Sequence, residues 1–292
     1  MAKLKIRNGA RRSMVKLLAR WVLLAALLLA LCLYYGFQVE PNLLLVRHYT
    51  LQAGGEQTEH LRLVQISDLQ IGEAYTVKNL QKVIQTIQKQ QPDVIIFNGD
   101  LFENYSQCGA ELETEVTALL KSLEAPYGKY AVWGNRDYGG GAEKAYRRIL
   151  KAADFTLLCN ERAEILSEQG HTVLLCGLDD SLFGKPDGSQ FLQNDKQDYA
   201  YRILMLHEPD VAQLWSHSDF QLILAGHSHG GQVRLPFWQG EKTVLAQQYL
   251  RHFYTLNQET GLRLYVNTGL GTSHIPVRFG VPPEIAVFDL YL

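Results

Sequence analysis

Six short apolar runs constrain the fold of this 292-residue chain more than any other feature. Each run is brief, rich in aliphatic or β-branched residues, and ends at a polar residue or a glycine, as buried strands do. The runs are LRLVQIS (61–67), DVIIFNG (93–99), KYAVWGN (129–135), HTVLLCG (171–177), YRILMLH (201–207) and FQLILAG (220–226). We therefore expect six buried strands.

A helical pattern follows each of the first three of these strands. Segments 77–91, 111–125 and 142–153 carry apolar residues at helix spacing. After Ala225 the chain becomes β-rich, and three further segments predict hairpins, with Glu259-Thr260-Gly261 as one turn. These segments are TVLAQQYL (243–250), HFYTLNQETGLRLYVNTG (252–269) and EIAVFDLYL (284–292). Strand–helix alternation followed by hairpins predicts a layered α/β sandwich.

The amino-terminal region predicts a membrane helix. No charged residue lies between Trp21 and Val39, and nineteen helical residues approach the thickness of a hydrocarbon core. A buried core helix is the alternative, but such helices are usually amphipathic, whereas this segment is apolar all round. Because no small-residue cleavage site follows, residues 1–40 favour an uncleaved anchor over a removed export signal.

Charge is distributed unevenly along the chain. The first twenty residues carry seven basic residues and no acidic ones, whereas the rest carries 21 basic and 30 acidic residues. The positive-inside rule therefore places the amino terminus in the cytoplasm and residues 41–292 on the outer side of the cell membrane. An acidic body also argues against nucleic-acid binding, which needs a basic face.

A paired arginine precedes the apolar segment. The run Arg11-Arg12-Ser13-Met14-Val15-Lys16 resembles a twin-arginine export signal. Any membrane anchor carries flanking arginines, so both interpretations stay open. Export by the twin-arginine route would carry the protein folded, with a metal already loaded.

Polar residues follow five of the six predicted strands. They are Asp68, Gln70, Asp100, Asn135, Arg136, Asp137, His207, His227 and His229. In an open α/β sheet, sites form at the carboxyl ends of the strands, so we expect these side chains to converge. Each alone has an ordinary explanation as a turn, a cap or a structural histidine. Their ordered recurrence at strand ends favours a site for Mn²⁺, Fe or Zn²⁺, built without the four cysteines, which form no CxxC pair.

This series resembles the calcineurin-like metallophosphoesterases, whose pattern is Asp-x-His, Gly-Asp, Gly-Asn-His-Asp/Glu, His and Gly-His-x-His. The resemblance covers residues 60–231 and implies a four-layer αββα sandwich holding two divalent ions, which activate a water molecule and clamp the phosphate. It assigns Asp68, Gln70, Asp100 and His229 to one ion. It assigns Asp100 as a bridge to the second ion, which is held also by Asn135, His207 and His227.

Gln70 departs from the family pattern, which has histidine at this position. An amide oxygen is a neutral, harder and weaker ligand than an imidazole, and it suits Mn²⁺ or Mg²⁺ better than a metal that prefers soft ligands. We therefore expect a manganese-preferring enzyme whose first metal site is labile, with Fe, Zn²⁺ and Mg²⁺ as alternatives.

Arg136 also departs from the pattern, which usually has a histidine that protonates the departing oxygen or steadies the phosphate. A guanidinium supplies no proton near neutral pH, but it binds two phosphate oxygens at once. A phosphate leaving group needs no proton, because its second pKa is about 6. Arg136 and Asp137 are therefore candidate catalytic residues for a diphosphate substrate. The alternative is that Arg136 merely pairs with Asp137 or another carboxylate.

The run Gly-Asn-Arg-Asp (134–137) resembles the UDP-2,3-diacylglucosamine pyrophosphatases, which act at membranes with manganese, although Gln70 departs from that subfamily too. The sequence thus predicts a membrane-anchored two-metal phosphohydrolase that cleaves a phosphodiester or diphosphate bond of a lipid or nucleotide-linked lipid. UDP-sugars are cytoplasmic, so either the body lies on the inner side of the membrane or the substrate is different, as for an exported general phosphodiesterase. A non-catalytic scaffold and a metal-storage protein are others. His274, in a glycine-rich loop, is a candidate substrate contact, and the oligomeric state stays open.

Overall fold

Two six-stranded sheets form the body of the protein in the computed structural model, which describes residues 2–54, 59–192 and 198–292. The first sheet has the order β1 (Leu45–Gln52), β12 (Glu284–Tyr291), β2 (His60–Ile66), β3 (Val94–Phe97), β4 (Lys129–Ala131) and β5 (Phe155–Leu157). The second has the order β10 (His252–Thr255), β11 (Arg263–Val266), β9 (Leu222–Ala225), β8 (Tyr201–Met205), β7 (Thr172–Gly177) and β6 (Glu161–Leu166).

Strand direction brings the ends of the predicted strands together. Strands β2 to β5 are mutually parallel, and so are β7, β8, β9 and β11. The inner faces of the two sheets share one apolar core, to which β2, β3, β8 and β9 all contribute. The carboxyl ends of β2, β3, β4, β8 and β9 consequently open on one edge of the sandwich, where sites form in α/β folds.

Three helices cover the outer face of the first sheet: α2 (Val77–Lys89), α3 (Ala110–Lys121) and α4 (Ala142–Ala152). Helix α2 begins with a capping box between Thr76 and Asn79, and its apolar residues at helix spacing are buried against the sheet. A 3-10 helix, Pro209–Trp215, and loops cover the outer face of the second sheet. The layered α/β fold is confirmed, and its fourth layer is made of a 3-10 helix and loops.

The six predicted strands and three predicted helices all form, but the chain after Ala225 differs in part. Strands β10 and β11 make the expected hairpin across the turn at Glu259. Residues 243–250, predicted as a strand, make only the isolated bridge Thr243–Ala246. The Asp210 carboxylate accepts N–H groups of 247, 248 and 249 there, and this wraps the segment into a turn. Strand β12 makes no hairpin; it lies between β1 and β2.

The amino-terminal helix, α1 (Ala2–Tyr34), projects from the body. Among the described residues, one helical segment, Met14–Asn42, is long and apolar enough to cross a membrane, and its most apolar window is wholly exposed. Its carboxyl end is fixed to the body, because the Gly36 carbonyl accepts the Arg278 N–H and the Glu40 carboxylate accepts the N–H groups of Gly280 and Val281. The side chains of Arg11, Arg12 and Ser13 lie outside the described residues.

Candidate metal centre

The predicted ligands meet at the edge where the strands end. Ligand atoms of Asp68, Asp100 and His207 all lie within 4.8 Å of one another. His229 Nε2 lies 3.4 Å from Asp68 Oδ1, and the rings of His207 and His227 have centroids 5.0 Å apart. Four separate segments of the chain, which carry Asp68, Asp100, His207 and the pair His227 and His229, therefore bring oxygen and imidazole donors to one place.

Unusual backbone conformations cluster in this group of residues. Five of the seven predicted ligands have positive φ angles between 43° and 66°: Asp68, Gln70, Asp100, His227 and His229. Left-handed conformations cost non-glycine residues of order 1 kcal/mol or more, and such strain collects at functional sites. Gly134 reflects the same crowding, because a Cβ there would lie 2.4 Å from Asp100 Oδ1. The short loops after the strands are thus shaped around the side chains they present.

Several buried ligand atoms lack a hydrogen-bond partner among the described residues. They are Asp68 Oδ1, Gln70 Oε1, Asn135 Oδ1 and His207 Nε2. A buried polar atom without a partner costs roughly 1–3 kcal/mol, so natural proteins keep few of them. Three of these atoms, Asp68 Oδ1, Asn135 Oδ1 and His207 Nε2, belong to predicted ligands at the strand ends, and divalent cations bind such atoms. For Gln70, it is Nε2 that faces the cluster. This donor set fits two divalent ions.

Hydrogen bonds to backbone carbonyls fix which nitrogen two of the imidazoles present. His207 Nδ1 donates to the Asn98 carbonyl, and its Nε2 faces Asp100 Oδ2 at 3.6 Å. His227 Nε2 donates to the Val244 carbonyl at 2.8 Å, which leaves Nδ1 as the lone-pair nitrogen. A carbonyl partner on the second nitrogen is the usual means of orienting a metal-binding histidine.

Burial and neighbouring charge set the protonation of the site. Burial lowers the pKa of His227 to about 4, and it lowers the pKa of His229 well below its usual value, with the Arg278 guanidinium acting in the same direction. Burial raises the pKa of Asp68 to about 6. Burial acts to lower the pKa of His207, but the Asp100 and Asp68 carboxylates raise it well above its ordinary value. Both histidines of the Gly-His-Ser-His run are therefore neutral at pH 7, as metal ligands must be.

Gln70 lies within the ligand cluster, where the sequence predicts a ligand. Its Nε2 lies 3.2 Å from Asp100 Oδ2 and 2.9 Å from His229 Nε2, while Oε1 has no partner among the described residues. Amide nitrogen and oxygen exchange places by a half-turn of the terminal torsion. That rotation points a neutral oxygen at the same two neighbours, so the side chain can serve as a ligand.

Arg136 lies in the wall of the site. Its guanidinium donates to the Glu103 carbonyl at 2.9 Å and to Ser273 Oγ at 2.6 Å, and it lies 3.3 Å from the Glu103 carboxylate. Its Nε is 3.9 Å from Asp100 Oδ2. Arg136 thus pairs with Glu103, and Asp137 faces elsewhere. Glu103 and Ser273 thus hold the guanidinium beside Asp100.

Asp137 holds the backbone and does not line the site. Its carboxylate accepts the N–H groups of Asp100 at 2.8 Å and of Leu101 and Gly134 at 2.9 Å each. Burial and the Asp100 charge raise the pKa of Asp137, whereas the three N–H bonds lower it. Both oxygens face donors, so the contacts suit the ionised form. Asp137 thus fixes the loop that carries Asp100, and its catalytic role stays a prediction.

A cavity of about 810 Å³ opens beside the cluster. Its lining includes the polar residues Gln70, Asp100, Asn135 and Arg136 and the apolar residues Trp238, Val244, Ile275 and Val277. His274 lies at the exposed rim, and its N–H donates to Glu103 Oε1. The cavity therefore joins the polar ligands to an apolar wall.

Three residues that shape the site carried no signal in the sequence. Glu103 and Ser273 position Arg136 from loops far apart in the chain. Arg278 is fully buried, donates to the carbonyls of Gly271, Thr268 and Val281, and has a nitrogen 3.5 Å from His229 Nδ1. These roles depend on tertiary contacts, and each residue type is ordinary in a loop.

The chain resembles known phosphoesterases. Residues 61–231 match the family model described as calcineurin-like phosphoesterase. The chain is 32% identical over 259 residues to an uncharacterized metallophosphoesterase of Bacillus subtilis, YkuE, covering 88% of this chain and 88% of the relative. It is 28% identical over 303 residues to the UDP-2,3-diacylglucosamine pyrophosphatase LpxG of Chlamydia trachomatis, covering 85% of this chain and 90% of the relative.

Other matches are more distant or partial. The structure of a dimetal phosphatase from Danio rerio superposes with a TM-score of 0.46 at 12% identity, over 79% of this chain and 93% of that one. The chain spans 59% or 60% of the length of three further bacterial relatives, from Campylobacter jejuni and Helicobacter pylori.

Proposed function

Because the chain belongs to the calcineurin-like phosphoesterases, we propose that it is a membrane-anchored hydrolase that uses two divalent ions to cleave a phosphodiester or diphosphate. The observation that carries this proposal is the group of buried ligand atoms without a partner at the strand ends: Asp68 Oδ1, Asn135 Oδ1 and His207 Nε2. A non-catalytic scaffold of the same fold has no need to retain unpaired acceptors in its interior.

The ligand assignment follows the sequence prediction. Asp68, Gln70, Asp100 and His229 hold one ion, and Asp100, Asn135, His207 and His227 hold the other. When bound, such ions activate a water molecule and neutralise charge on the phosphate. The role of the protein is to keep both histidines of the Gly-His-Ser-His run neutral and to present their lone pairs. Manganese is the proposed metal, because four of these seven ligands, Asp68, Gln70, Asp100 and Asn135, offer carboxylate or amide oxygen, and Mn²⁺ accepts carboxylate and carbonyl ligands.

Arg136 is the proposed substrate-binding cation. Its contacts to Glu103 and Ser273 hold the guanidinium beside the ligand cluster, in the wall of the cavity. A guanidinium fork binds the oxygens of a phosphate leaving group, which needs charge neutralisation and no proton. A diphosphate is therefore the favoured substrate. The relative LpxG, a UDP-2,3-diacylglucosamine pyrophosphatase, supports that choice. An exported general phosphodiesterase is the alternative within the same chemistry.

Anchorage is the third part of the proposal. The segment Met14–Asn42 spans the bilayer, with the basic amino terminus in the cytoplasm and the sandwich on the outer side. A carboxyl-terminal tag in intact cells tests the orientation. Digestion of the tag by added protease supports the outer location, and protection in both whole cells and spheroplasts contradicts it.

Hydrolysis of a water-soluble aryl phosphodiester in Mn²⁺ tests the chemistry. Asp100→Asn should lower kcat by roughly 10³-fold, because a neutral amide replaces the bridging carboxylate at the site where charge must be balanced. Asp219→Asn, a substitution of the same type at an exposed aspartate, is the matched control and should leave the rate unchanged. A folded Asp100→Asn protein with the wild-type rate would contradict the proposal, and a folded wild-type protein that binds Mn²⁺ without turnover would favour a scaffold or a metal-storage role.

A further inference from the structure

An apolar rim borders the mouth of the cavity. We define it by four side chains: Phe237, Trp238, Val244 and Ile275, which are 88%, 44%, 63% and 58% exposed. Leu235 and Trp238 exchange both backbone hydrogen bonds, so Pro236 and Phe237 form the tip of a tight turn that projects from the body. Large apolar side chains grouped at such a tip, next to a ligand cavity, are typical of an interaction surface.

The turn that carries the apolar rim is linked through Phe279 to the end of the membrane segment. Tyr35 packs edge-on against Phe279, with ring centroids 5.7 Å apart. Phe279 pairs with the strand that leads into the turn: its N–H donates to the Gln232 carbonyl, and its carbonyl accepts the Arg234 N–H. A Cβ on Gly36 would lie 3.2 Å from Val277 Cγ2, and Val277 lines the cavity. The last residues of the membrane segment thus touch the wall of the cavity.

We propose that the apolar rim rests in the surface of the bilayer that α1 crosses, so that the cavity receives a lipid-linked phosphate from the membrane. The inference rests on the membrane anchorage stated under the proposed function. A bilayer is the occupant favoured by position, because Phe279 packs against Tyr35 at the anchor end and its backbone pairs with the segment 232–234, which leads into the turn that carries Phe237 and Trp238. A soluble partner would have to fit between the body and the membrane that holds it.

The side chains around the apolar rim suit a membrane interface. Tryptophan prefers the headgroup level, and phenylalanine at the tip of a turn reaches the boundary of the acyl chains. Arg234 and Lys242 are exposed beside these apolar residues, where long basic side chains reach lipid phosphates. Glu241, next to Lys242, also lines the cavity. A lipid whose phosphate reaches Arg136 can leave its acyl part against Trp238, Val244 and Ile275.

Lipid photolabelling of the full chain tests this inference without requiring catalysis. The protein is reconstituted in nanodiscs of phosphatidylcholine and phosphatidylglycerol that include a diazirine-bearing phospholipid, irradiated and digested, and adducts are located by mass spectrometry. Peptides covering 232–246 and 273–279 should carry about tenfold more lipid adduct than the peptide around Leu166. Leu166 is 63% exposed, but it lies on the edge strand β6 opposite Thr172, at the amino end of β7 and away from the ligand edge.

Two variants sharpen the test. Phe237→Gln should lower labelling of the apolar rim by roughly tenfold and lower hydrolysis of a phosphodiester lipid in the same nanodisc by a similar factor. Its rate on a water-soluble aryl phosphodiester should stay within about twofold of wild type, because Phe237 does not line the cavity. The matched control Leu166→Gln should change none of these quantities.

Adducts confined to α1 would overturn the inference, and so would labelling of the apolar rim no stronger than that of the peptide around Leu166. Failure of the proposed function is recognised separately. A wild-type protein that hydrolyses neither the lipid nor the soluble phosphodiester refutes the enzyme proposal, while the pattern of lipid adducts still decides whether the apolar rim meets the membrane.

Discussion

Replacing Asp137 with asparagine removes a buried brace from beneath the metal centre. The wild-type carboxylate accepts three backbone N–H groups, from Asp100, Leu101 and Gly134, at 2.8 to 2.9 Å. An amide oxygen in place of Oδ2 keeps the first and third of these bonds in weaker, neutral form. The amide nitrogen then faces the Leu101 N–H, and two donors meet where an acceptor is needed.

The size of this effect follows from those three bonds. A hydrogen bond to a charged group contributes about 1.5–3 kcal/mol, and a buried donor without a partner costs about 1–3 kcal/mol, so the free energy of unfolding should fall by about 3–5 kcal/mol. For a domain of this size, that corresponds to a fall in Tm of roughly 10 °C. Because Asp100 loses its fixed backbone, kcat on a soluble phosphodiester should also fall by roughly 10²-fold.

Thermal unfolding and metal content together check this prediction. Asp137→Asn is compared with wild type and with the exposed control Asp219→Asn by circular dichroism, and bound Mn²⁺ is measured after dialysis. A Tm within about 1 °C of wild type, which is roughly the error of such a scan, together with an unchanged rate, would refute the reasoning. That outcome would mean that burial keeps the side chain neutral already and that the backbone does not depend on its charge.

Three further predictions concern the site itself. Gln70→His should slow the loss of the first ion, raising Mn²⁺ or Zn²⁺ affinity by roughly tenfold in a competition titration with a fluorescent chelator; faster metal loss would count against Gln70 as a ligand. Arg136→Ala should lower kcat on a diphosphate by roughly 10²–10³-fold, while Arg136→Lys, which keeps the charge but not the fork, should lose about tenfold; equal rates in all three proteins would remove Arg136 from the chemistry. In the metal-free protein the pKa of Asp68 is raised to about 6. Protons on Asp68 therefore compete with the ion below that pH, and a proton on His207, whose pKa the neighbouring carboxylates raise well above its ordinary value, competes at higher pH too. Mn²⁺ affinity measured by calorimetry should fall by about tenfold or more per pH unit as the pH is lowered from about 7 to about 5; an affinity that stays constant or rises over this range would contradict this assignment.

Much of the fold could be predicted because its central strands are recognisable in the sequence. Each of the six apolar runs is buried on both faces of its sheet and ends at a polar residue or a glycine. The presence of each strand and the residue at which it ends could therefore both be predicted from the sequence. The segment 243–250 has the composition of a strand but not its structure, since Asp210 captures three of its N–H groups. Strand β12 could not be placed, because its pairing with β1 and β2 joins parts of the chain that lie far apart.

The candidate site likewise has a part that could be predicted from the sequence and a part that could not. The positions that converge are those at the ends of parallel strands, and topology alone brings them together. The role of Asp137 was not predictable, because a carboxylate beside Arg136 looks catalytic until its three backbone partners are seen. The contact of Glu40 with Gly280 and Val281 joins residues some 240 positions apart in the sequence. The position of the membrane segment beside the cavity depends on this contact and could not be predicted from the sequence.

Anomalous diffraction from crystals of the full chain grown in Mn²⁺ measures the metal centre most directly. We expect two manganese peaks per chain, about 3.5–4 Å apart, with Asp100 between them and His207 and His229 on opposite sides. Crystals of Asp100→Asn should lose one or both peaks. Manganese absent from these side chains in the wild-type crystal, or bound at another part of the surface, would contradict the account.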